Sequence, residues 1–175
     1  MNAELRARAG RVRLAIFDVD GVMTDGRLYL SDDGQEYKAF NSLDGHGLKM
    51  LKSTGVELAI LTGRTSRVVE HRARNLGISI VHQGAHDKLA VYEALCRELK
   101  IDMQDTAFMG DDVVDLPPMR RAGLALTVPA APDLVKAHSH YIAVRPAGMG
   151  AVREVCELIM RVQGTLDEAL APYLR

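Results

Sequence analysis

Acidic residues directly follow an apolar run near the N-terminus, in the stretch I-F-D-V-D-G-V-M-T-D-G from Ile16 to Gly26. Asp18, Asp20 and Asp25 all lie within this short segment. Carboxylates this close repel one another, and burying them is costly unless a cation joins them. The glycine that follows Asp20 leaves room for a bound group to approach the backbone. The stretch therefore predicts a site for a divalent cation and a phosphate group.

The first two of these aspartates could carry out a phosphoryl transfer together. A carboxylate at the end of a strand, beside Mg²⁺, can attack phosphorus and form an aspartyl-phosphate, and Asp18 is the candidate. Asp20 would protonate the departing alkoxide and later take a proton from water. Mg²⁺ prefers oxygen ligands in octahedral geometry. We expect it to be held by Asp18, a backbone carbonyl near Asp20 and one carboxylate of the Asp111–Asp112 pair. The N–H groups of Val19 to Val22 are expected to form an anion-binding nest.

Two further motifs supply candidate phosphate ligands. Thr62 offers a hydroxyl donor, and Gly63 follows it just before a predicted helix N-terminus, which is a natural anion site. Lys88 would place a positive charge on the phosphate and on Asp18. A transferring phosphoryl group spreads charge over its oxygens, so positioning and cations account for most of its catalysis.

Each motif also has an ordinary structural explanation. A D-x-D pair is often a solvated loop, T-G-R is often a helix cap, and Lys88 alone could be a surface lysine. The stretch G-D-D-V-V-D could be an acidic helix start, which the helix dipole favours. All four occur in one order, three of them at the ends of predicted strands, and this combination favours the catalytic interpretation.

Apolar runs alternate with helical patterns along the chain. The predicted strands are V-R-L-A-I-F-D, V-E-L-A-I-L-T, I-S-I-V-H-Q, T-A-F-M-G-D-D, L-A-L-T-V and a last edge strand Y-I-A-V. Strands that are apolar throughout and separated by helices indicate an α/β fold with a doubly wound, mostly parallel sheet. In such sheets ligands bind beyond the carboxyl ends of the strands. Asp18, Thr62 and Asp111 are therefore expected at one edge.

Two local features are predicted between the first two strands of the sheet. The stretch L-Y-L-S-D-D-G-Q-E-Y-K-A-F contains two extended runs around Asp33 and Gly34, which is typical of a β-hairpin. Asp44 is expected to cap the N-terminus of a helix that runs through Leu51 and ends near Gly55.

Length and composition suit one domain of residues 1–175, with the hairpin at about 27–40 and a C-terminal tail at about 164–175. A net charge of −1 gives no electrostatic basis for binding nucleic acid or an acidic membrane. No apolar stretch approaches the roughly 20 residues of a membrane span. Cys96 and Cys156 lie far apart within helical patterns and are expected to be buried, reduced thiols. Such thiols are typical of a reducing compartment, so a cytoplasmic location is expected.

The motifs D-V-D-G-V-M-T, L-T-G-R, Lys88 and G-D-D-V-V-D together resemble those of the haloacid dehalogenase superfamily of phosphatases. The resemblance implies that Asp18 is the nucleophile and Asp20 the general acid and base. It implies the remaining roles as follows: phosphate binding by Thr62, Gly63 and Lys88, Mg²⁺ ligation by Asp18, Asp20 and Asp111, and orientation of the metal shell by Asp112 or Asp115.

A closer resemblance covers nearly the whole chain. The stretches D-G-V-M-T-D-G-R-L-Y, F-N-S-L-D-G-H-G, Q-G-A-H-D-K and A-G-M-G-A-V-R-E-V are similar to those of the 3-deoxy-D-manno-octulosonate 8-phosphate phosphatases, a subfamily without a cap domain. The resemblance implies Mg²⁺-dependent hydrolysis of this sugar-acid phosphate, a step of lipopolysaccharide biosynthesis. It also implies a homotetramer in which hairpins such as Leu28 to Phe40 pack together. A neighbour's tail, corresponding to Leu166 to Arg175, would close the site.

One position departs from the subfamily pattern. The subfamily usually carries an arginine in V-R-D-G-Y-G, whereas this chain has Leu43, which cannot bind an anion. A nonulosonate 9-phosphate, of the sialic-acid type, therefore stays an alternative substrate. Arg64 is a candidate for pairing with the substrate carboxylate, with a helix-surface arginine as its alternative. Arg153 would either reach a site or serve packing.

Two other classes of protein could share these features. A phospho-accepting receiver domain has a similar sheet and an aspartate nucleophile, but its phospho-aspartate follows the third strand. Here the third strand of the predicted sheet ends in His82 and Gln83. A non-catalytic assembly subunit would be expected to lack Asp18, Asp20 or Lys88, and all three are present.

Overall fold

Eight strands form in the computed structural model, which describes residues 1–175. They are β1 (Leu14–Phe17), β2 (Tyr29–Leu30), β3 (Glu36–Tyr37), β4 (Glu57–Leu61), β5 (Ile80–His82), β6 (Thr106–Met109), β7 (Leu124–Thr127) and β8 (Tyr141–Ile142). Six of them make one parallel sheet in the order β5–β4–β1–β6–β7–β8. Strands β1, β6 and β7 are buried along their whole length, so both faces of the sheet are covered. The predicted doubly wound parallel α/β fold is confirmed.

Eight α-helices connect and cover the strands. They are α1 (Ala3–Gly10), α2 (Ser42–Ser53), α3 (Arg67–Leu76), α4 (Lys88–Leu99), α5 (Leu116–Met119), α6 (Asp133–Ala137), α7 (Ala151–Gln163) and α8 (Leu166–Leu170). The long helix α7 packs against α1 and α2, and α4 packs against α5. The connection from β1 to β4 holds only the hairpin and α2, and that from β4 to α4 holds only α3 and β5. No additional domain is inserted at either point.

Helix α1 was not predicted from the sequence. Its first turn is capped by Asn2, whose side chain accepts a hydrogen bond from the N–H of Leu5 at 2.8 Å. Only Leu5 and Ala9 of this helix are buried, so its apolar stripe is too narrow to stand out among the basic residues.

Strands β2 and β3 form the predicted antiparallel hairpin, with Tyr29 opposite Tyr37 and Leu30 opposite Glu36. The turn between them contains Gly34 with a φ of +80°, a conformation that favours glycine. The hairpin lies outside the main sheet, and several of its apolar side chains are exposed.

Asp44 does not cap α2, contrary to the prediction. Asn41 caps this helix, and its side chain accepts hydrogen bonds from the N–H groups of Leu43 at 2.8 Å and Asp44 at 3.3 Å. The buried Asp44 carboxylate instead accepts hydrogen bonds from the N–H groups of Gly150 at 3.2 Å and Arg153 at 2.8 Å. These N–H groups lie at the start of α7 and have no partners within that helix. Asp44 is thus the cap of a helix far along the chain.

We expect Asp44→Ala to lower the free energy of unfolding by about 2–3 kcal/mol, because it removes a cap and leaves buried N–H groups without partners. Asp44→Asn keeps an acceptor at this place and should lose less than half as much. Equilibrium unfolding in urea measures both, with the exposed Asp167→Ala in α8 as control. Equal losses for the Ala and Asn variants would contradict the capping role.

The C-terminal segment folds back onto its own chain. Helix α7 ends before Gly164, which has a φ of +74°, and α8 and a turn at Ala171–Tyr173 follow. The ring of Tyr173 meets the ring of His46 in α2 edge-to-face, with 5.2 Å between the centroids. Cys96 and Cys156 are buried and free. None of the helices has the length and apolar character needed to cross a bilayer.

Candidate active site

The carboxyl ends of three neighbouring strands meet at one cleft of about 370 Å³. Strand β1 lies between β4 and β6. The chain passes from β1 to β4 and β5 on one side, and later continues through β6, β7 and β8 on the other side. This is the switch point at which doubly wound sheets bind ligands. Asp18 follows β1, Thr62 follows β4, and Asp111 lies just beyond β6. The predicted site residues line the cleft, except Asp115, which is fully buried beside it.

Lys88, the first residue of α4, joins two buried carboxylates beside the cleft. Its Nζ atom lies 3.0 Å from Oδ2 of Asp18 and 2.6 Å from Oδ1 of Asp115. The other oxygen of Asp115 accepts hydrogen bonds from the N–H groups of Asp111 at 3.1 Å and Asp112 at 3.3 Å. Asp115 therefore holds both Lys88 and the loop after β6 in place.

Burial and mutual repulsion make these carboxylates resist ionisation. Burial, followed by the charge of Asp115, raises the pKa of Asp18 to about 6, and Lys88 offsets this only in part. Burial, Asp115 and Asp18 raise the pKa of Asp111 to about 7. Burial alone would lower the pKa of Lys88, but Asp18 and Asp115 outweigh it and raise that pKa. The site carries more negative charge than one lysine balances.

The donor set fits a magnesium ion. Asp18, Asp111 and Asp115 offer carboxylate oxygens within 4.8 Å of one another, and hard oxygen donors suit Mg²⁺. Oδ1 of Asp18 is buried and accepts no hydrogen bond, so it needs a positive partner. Both oxygens of Asp115 are already bonded within the chain. Asp18 and Asp111 are therefore the side chains that fit the ion.

A wide turn at Val19–Met23 carries the chain away from Asp18. Within it, Gly21 has a φ of +86°, and a Cβ atom there would lie 2.0 Å from Oδ2 of Asp111. Only glycine fits between the turn and this carboxylate. The hydroxyl of Thr24 accepts long hydrogen bonds from the N–H groups of Gly21 at 3.4 Å and Gly26 at 3.3 Å, which hold the turn closed.

Asp20 lines the cleft, but its carboxylate contacts Lys38 and Arg64 and does not belong to the carboxylate cluster of Asp18. Its Oδ1 atom contacts Nζ of Lys38, and its Oδ2 atom lies 3.7 Å from Nε of Arg64. Both cations also pair with Glu36, at 3.3 Å for Lys38 and 2.7 Å for Arg64. The side chain of Asp20 is thus separate from the candidate metal ligands, and only its backbone carbonyl stays a candidate for metal binding.

Lys38 was missed by the sequence analysis. Its side chain is only 2% exposed although it lies just after β3, because it is enclosed between two acids. Burial opposes the charge of Glu36, but hydrogen bonds from Arg64 and Lys38 outweigh this and lower the pKa of Glu36. Glu36 and Lys38 are two residues apart and therefore face the same side of an extended strand. An acid and a base in this spacing, on a hairpin that follows the D-x-D motif, were the sequence feature that could have indicated a contact between Lys38 and Asp20.

The other predicted residues occupy different parts of the cleft. Thr62 is buried, and its carbonyl accepts a hydrogen bond from the N–H of Ala85 at 3.1 Å. Arg64 lies at the rim with a side chain 48% exposed. Asp112 is exposed, and its carboxylate accepts a hydrogen bond from the N–H of Val113 at 2.7 Å, so its side chain serves the local turn.

Leu43 and Arg153 lie outside the cleft, along a separate cavity of about 360 Å³. Nε of Arg153 donates a hydrogen bond to Glu157 one turn further along α7, at 2.5 Å. Arg153 thus pairs within its own helix, away from the cleft. The replacement of arginine by leucine at position 43 does not alter the cleft of its own chain.

Comparison with known proteins gives concordant matches. Residues 28–123 match the model of the haloacid dehalogenase-like hydrolases. The 3-deoxy-D-manno-octulosonate 8-phosphate phosphatase of Escherichia coli is 41% identical over 97% of this chain and 90% of its own length. The enzyme of that name from Yersinia pestis is 43% identical over 93% of this chain and 87% of its own length.

A solved structure is also similar over nearly the whole chain. It is the 3-deoxy-D-manno-octulosonate 8-phosphate phosphatase of Moraxella catarrhalis in complex with magnesium, phosphate and the sugar acid. Its TM-score is 0.96, with 42% identity and 99% coverage of both chains. The fold, the carboxylate cluster and these matches agree: the chain belongs to the haloacid dehalogenase-like hydrolase family.

Proposed function

We propose that this protein is a Mg²⁺-dependent phosphatase that hydrolyses 3-deoxy-D-manno-octulosonate 8-phosphate to the free sugar acid and inorganic phosphate. The reaction would serve lipopolysaccharide biosynthesis. The observation that carries the proposal is the cluster of buried Asp18 and Lys88 with half-buried Asp111 at the switch point of the sheet. The similarity to phosphatases with this substrate supports the choice of sugar acid.

In the first step, an oxygen of Asp18 attacks the phosphorus and the bond from phosphorus to the sugar oxygen breaks. Asp20 gives a proton to the departing alkoxide, so that a neutral alcohol leaves. Lys88 holds Asp18 at 3.0 Å and presents its charge to the phosphoryl oxygens, and Thr62 and Gly63 offer hydrogen-bond donors to the same group.

In the second step, water attacks the phosphorus of the aspartyl-phosphate and gives its proton to Asp20. The bond from phosphorus to Asp18 breaks, which releases phosphate and restores the carboxylate. Asp20 ends this step protonated, ready for the next turnover.

Magnesium would be held by the carboxylates of Asp18 and Asp111 and by the backbone carbonyl of Asp20. When bound, it neutralises charge on the carboxylates and on the phosphoryl oxygens. Asp115 contributes indirectly, since it fixes Lys88 and the backbone of Asp111. We assign Asp112 a role in the turn beside the site and propose that it makes no direct contact with the ion.

Substrate selection is assigned to the rim of the cleft. Arg64 is half exposed there and has the planar guanidinium that pairs with a carboxylate in bidentate fashion. Leu43 lies outside the cleft, so its departure from the subfamily pattern gives no reason to prefer a nonulosonate 9-phosphate. Strand β5 is the third strand of the main sheet along the chain, and it ends in His82, whereas a receiver domain would have its phospho-accepting aspartate there.

We further propose that the single domain of residues 1–175 assembles as a cytoplasmic homotetramer. Leu30 and Tyr37 of the hairpin are 62% and 59% exposed, an apolar surface that subunit packing would cover. Leu174 in the tail is 82% exposed and would be available to a neighbouring subunit. The two buried thiols fit a reducing compartment.

Phosphate release from a panel of substrates tests the proposal. The panel contains the octulosonate 8-phosphate, a nonulosonate 9-phosphate, a nucleoside monophosphate and phosphoserine. We expect the octulosonate ester to have the highest kcat/KM. Chelation should lower its turnover by about 100-fold or more, because a metal ion contributes several kcal/mol to such reactions. Added Mg²⁺ should restore it.

Activity that survives complete chelation would contradict the proposed mechanism. A preference for the nucleotide or phosphoserine would contradict the substrate and leave the mechanism intact.

A further inference from the structure

The hairpin contributes an ionic ring to the rim of the cleft. We define the ring by its four members, Asp20, Glu36, Lys38 and Arg64. Lys38 contacts Asp20 and lies 3.3 Å from Glu36, and Arg64 lies 2.7 Å from Glu36 and 3.7 Å from Asp20. Two acids thus alternate with two bases, and the side chains of Lys38 and Arg64 link Asp20 to Glu36 of β3.

Lys38 is the most enclosed member of the ring. Its side chain is 2% exposed, against 19% for Asp20, 17% for Glu36 and 48% for Arg64. Burying an ammonium group is costly unless acids surround it at close range. An exposed ion pair would leave both partners mobile. Here the low exposure of Lys38 indicates a fixed contact with Asp20.

The contact with Lys38 gives the two carboxylate oxygens of Asp20 different surroundings. Oδ1 is taken by Lys38. Oδ2 is shielded from solvent and accepts no hydrogen bond, and Arg64 lies beyond hydrogen-bond distance from it. A carboxylate that exchanges protons with a substrate needs one oxygen free and a fixed orientation. Lys38 fixes the orientation, and Oδ2 is the oxygen that has no partner in the chain.

We propose that Lys38 is a positioning residue for the phosphatase reaction. By holding Oδ1 of Asp20, it aims Oδ2 at the leaving-group oxygen in the first step and at the attacking water in the second. Lys38 itself forms or breaks no bond. The inference rests on the proposed function, and it makes the fold of the hairpin a condition for rapid turnover.

A double-mutant cycle with Lys38→Met and Asp20→Asn tests the inference. General acid–base catalysis contributes about 10²–10⁴-fold to a rate, and misorientation should forfeit much of it. We expect Lys38→Met to lower kcat for the sugar-acid phosphate by about 30-fold or more, with KM changed less than about threefold. The double variant should be no slower than Asp20→Asn alone, because Lys38 acts through Asp20. Lys38→Arg should recover part of the lost kcat.

The control is Lys136→Met, which removes a lysine of α6 that does not line the cleft and should leave kcat unchanged. Thermal unfolding of every variant shows whether it is folded. If Lys38→Met does not fold, Lys38→Gln and Lys38→Arg form the same comparison.

Unchanged kcat in a folded Lys38→Met variant would overturn the inference, and so would losses that multiply in the double variant. Both results require an active wild-type enzyme. A wild-type protein without Mg²⁺-dependent phosphatase activity would instead refute the proposed function on which the inference rests.

Discussion

Asp18→Asn is expected to abolish turnover, with kcat lower by about 10⁴-fold or more, as for other enzymes that lose their nucleophile. An amide oxygen is a poor nucleophile and cannot form the aspartyl-phosphate. The same change removes a candidate Mg²⁺ ligand, so the midpoint of unfolding should respond less to added Mg²⁺ than in the wild type. Phosphate release and thermal unfolding with and without Mg²⁺ measure these effects.

The same variant should be at least as stable as the wild type when metal is chelated at pH 7.5. The folded protein raises the pKa of Asp18 from 3.8 to about 6, so between these values the folded state binds more protons than the unfolded state. Stability therefore falls as pH rises through this window, and the asparagine variant escapes this loss.

The stability difference between the variant and the wild type should grow from pH 4 to pH 7 in chelator. Asp133→Asn, an exposed aspartate of α6, is the matched control and should change neither property. An Asp18→Asn variant that keeps substantial activity would contradict the assignment of the nucleophile.

Lys88→Met should both inactivate the protein and destabilise it. Asp18→Asn, in contrast, should inactivate the protein without destabilising it in chelator. The Lys88 side chain is 4% exposed and lies between Asp18 and Asp115. Removing one partner of a buried ion pair costs about 3–5 kcal/mol, because the remaining charges lose their compensation. Equilibrium unfolding in chelator should show a loss of about this size.

A double variant of Lys88→Met with Asp18→Asn should recover part of this stability, because it removes one of the charges that Lys88 balances. Lys136→Met, which loses only an exposed pair, should stay within about 0.5 kcal/mol of the wild type. A loss by Lys88→Met no larger than that of Lys136→Met would show that the carboxylate cluster does not depend on Lys88.

The sheet and the ends of its strands could be predicted because they depend on local patterns. Short apolar runs such as Leu14–Phe17, separated by helical patterns, are typical of buried strands in a parallel sheet. Parallel strands place their carboxyl ends at the same edge. The meeting of Asp18, Thr62 and Asp111 at one cleft followed from topology alone. The short Asp33–Gly34 turn was predictable for the same reason, since its signal lies in the turn residues.

The contacts that span long separations could not be predicted. Asp44 has the residue type of a helix cap, but in the folded chain its carboxylate caps α7. Asn41 caps α2 instead. Lys38 contacts Asp20 only in the folded structure. From the sequence alone, a lysine in a β-ribbon is expected to be solvated. In both cases a polar side chain serves an element that its own neighbourhood in the sequence does not reveal.

The most direct test of the central claim is a crystal structure with Mg²⁺ and beryllium fluoride, which mimics a phosphoryl group on a carboxylate. We predict that beryllium is bonded to a side-chain oxygen of Asp18, that Lys88 contacts the fluorides, and that Mg²⁺ is coordinated by Asp18 and Asp111. Beryllium fluoride on any other side chain, or an ion that does not touch both aspartates, would contradict the mechanism.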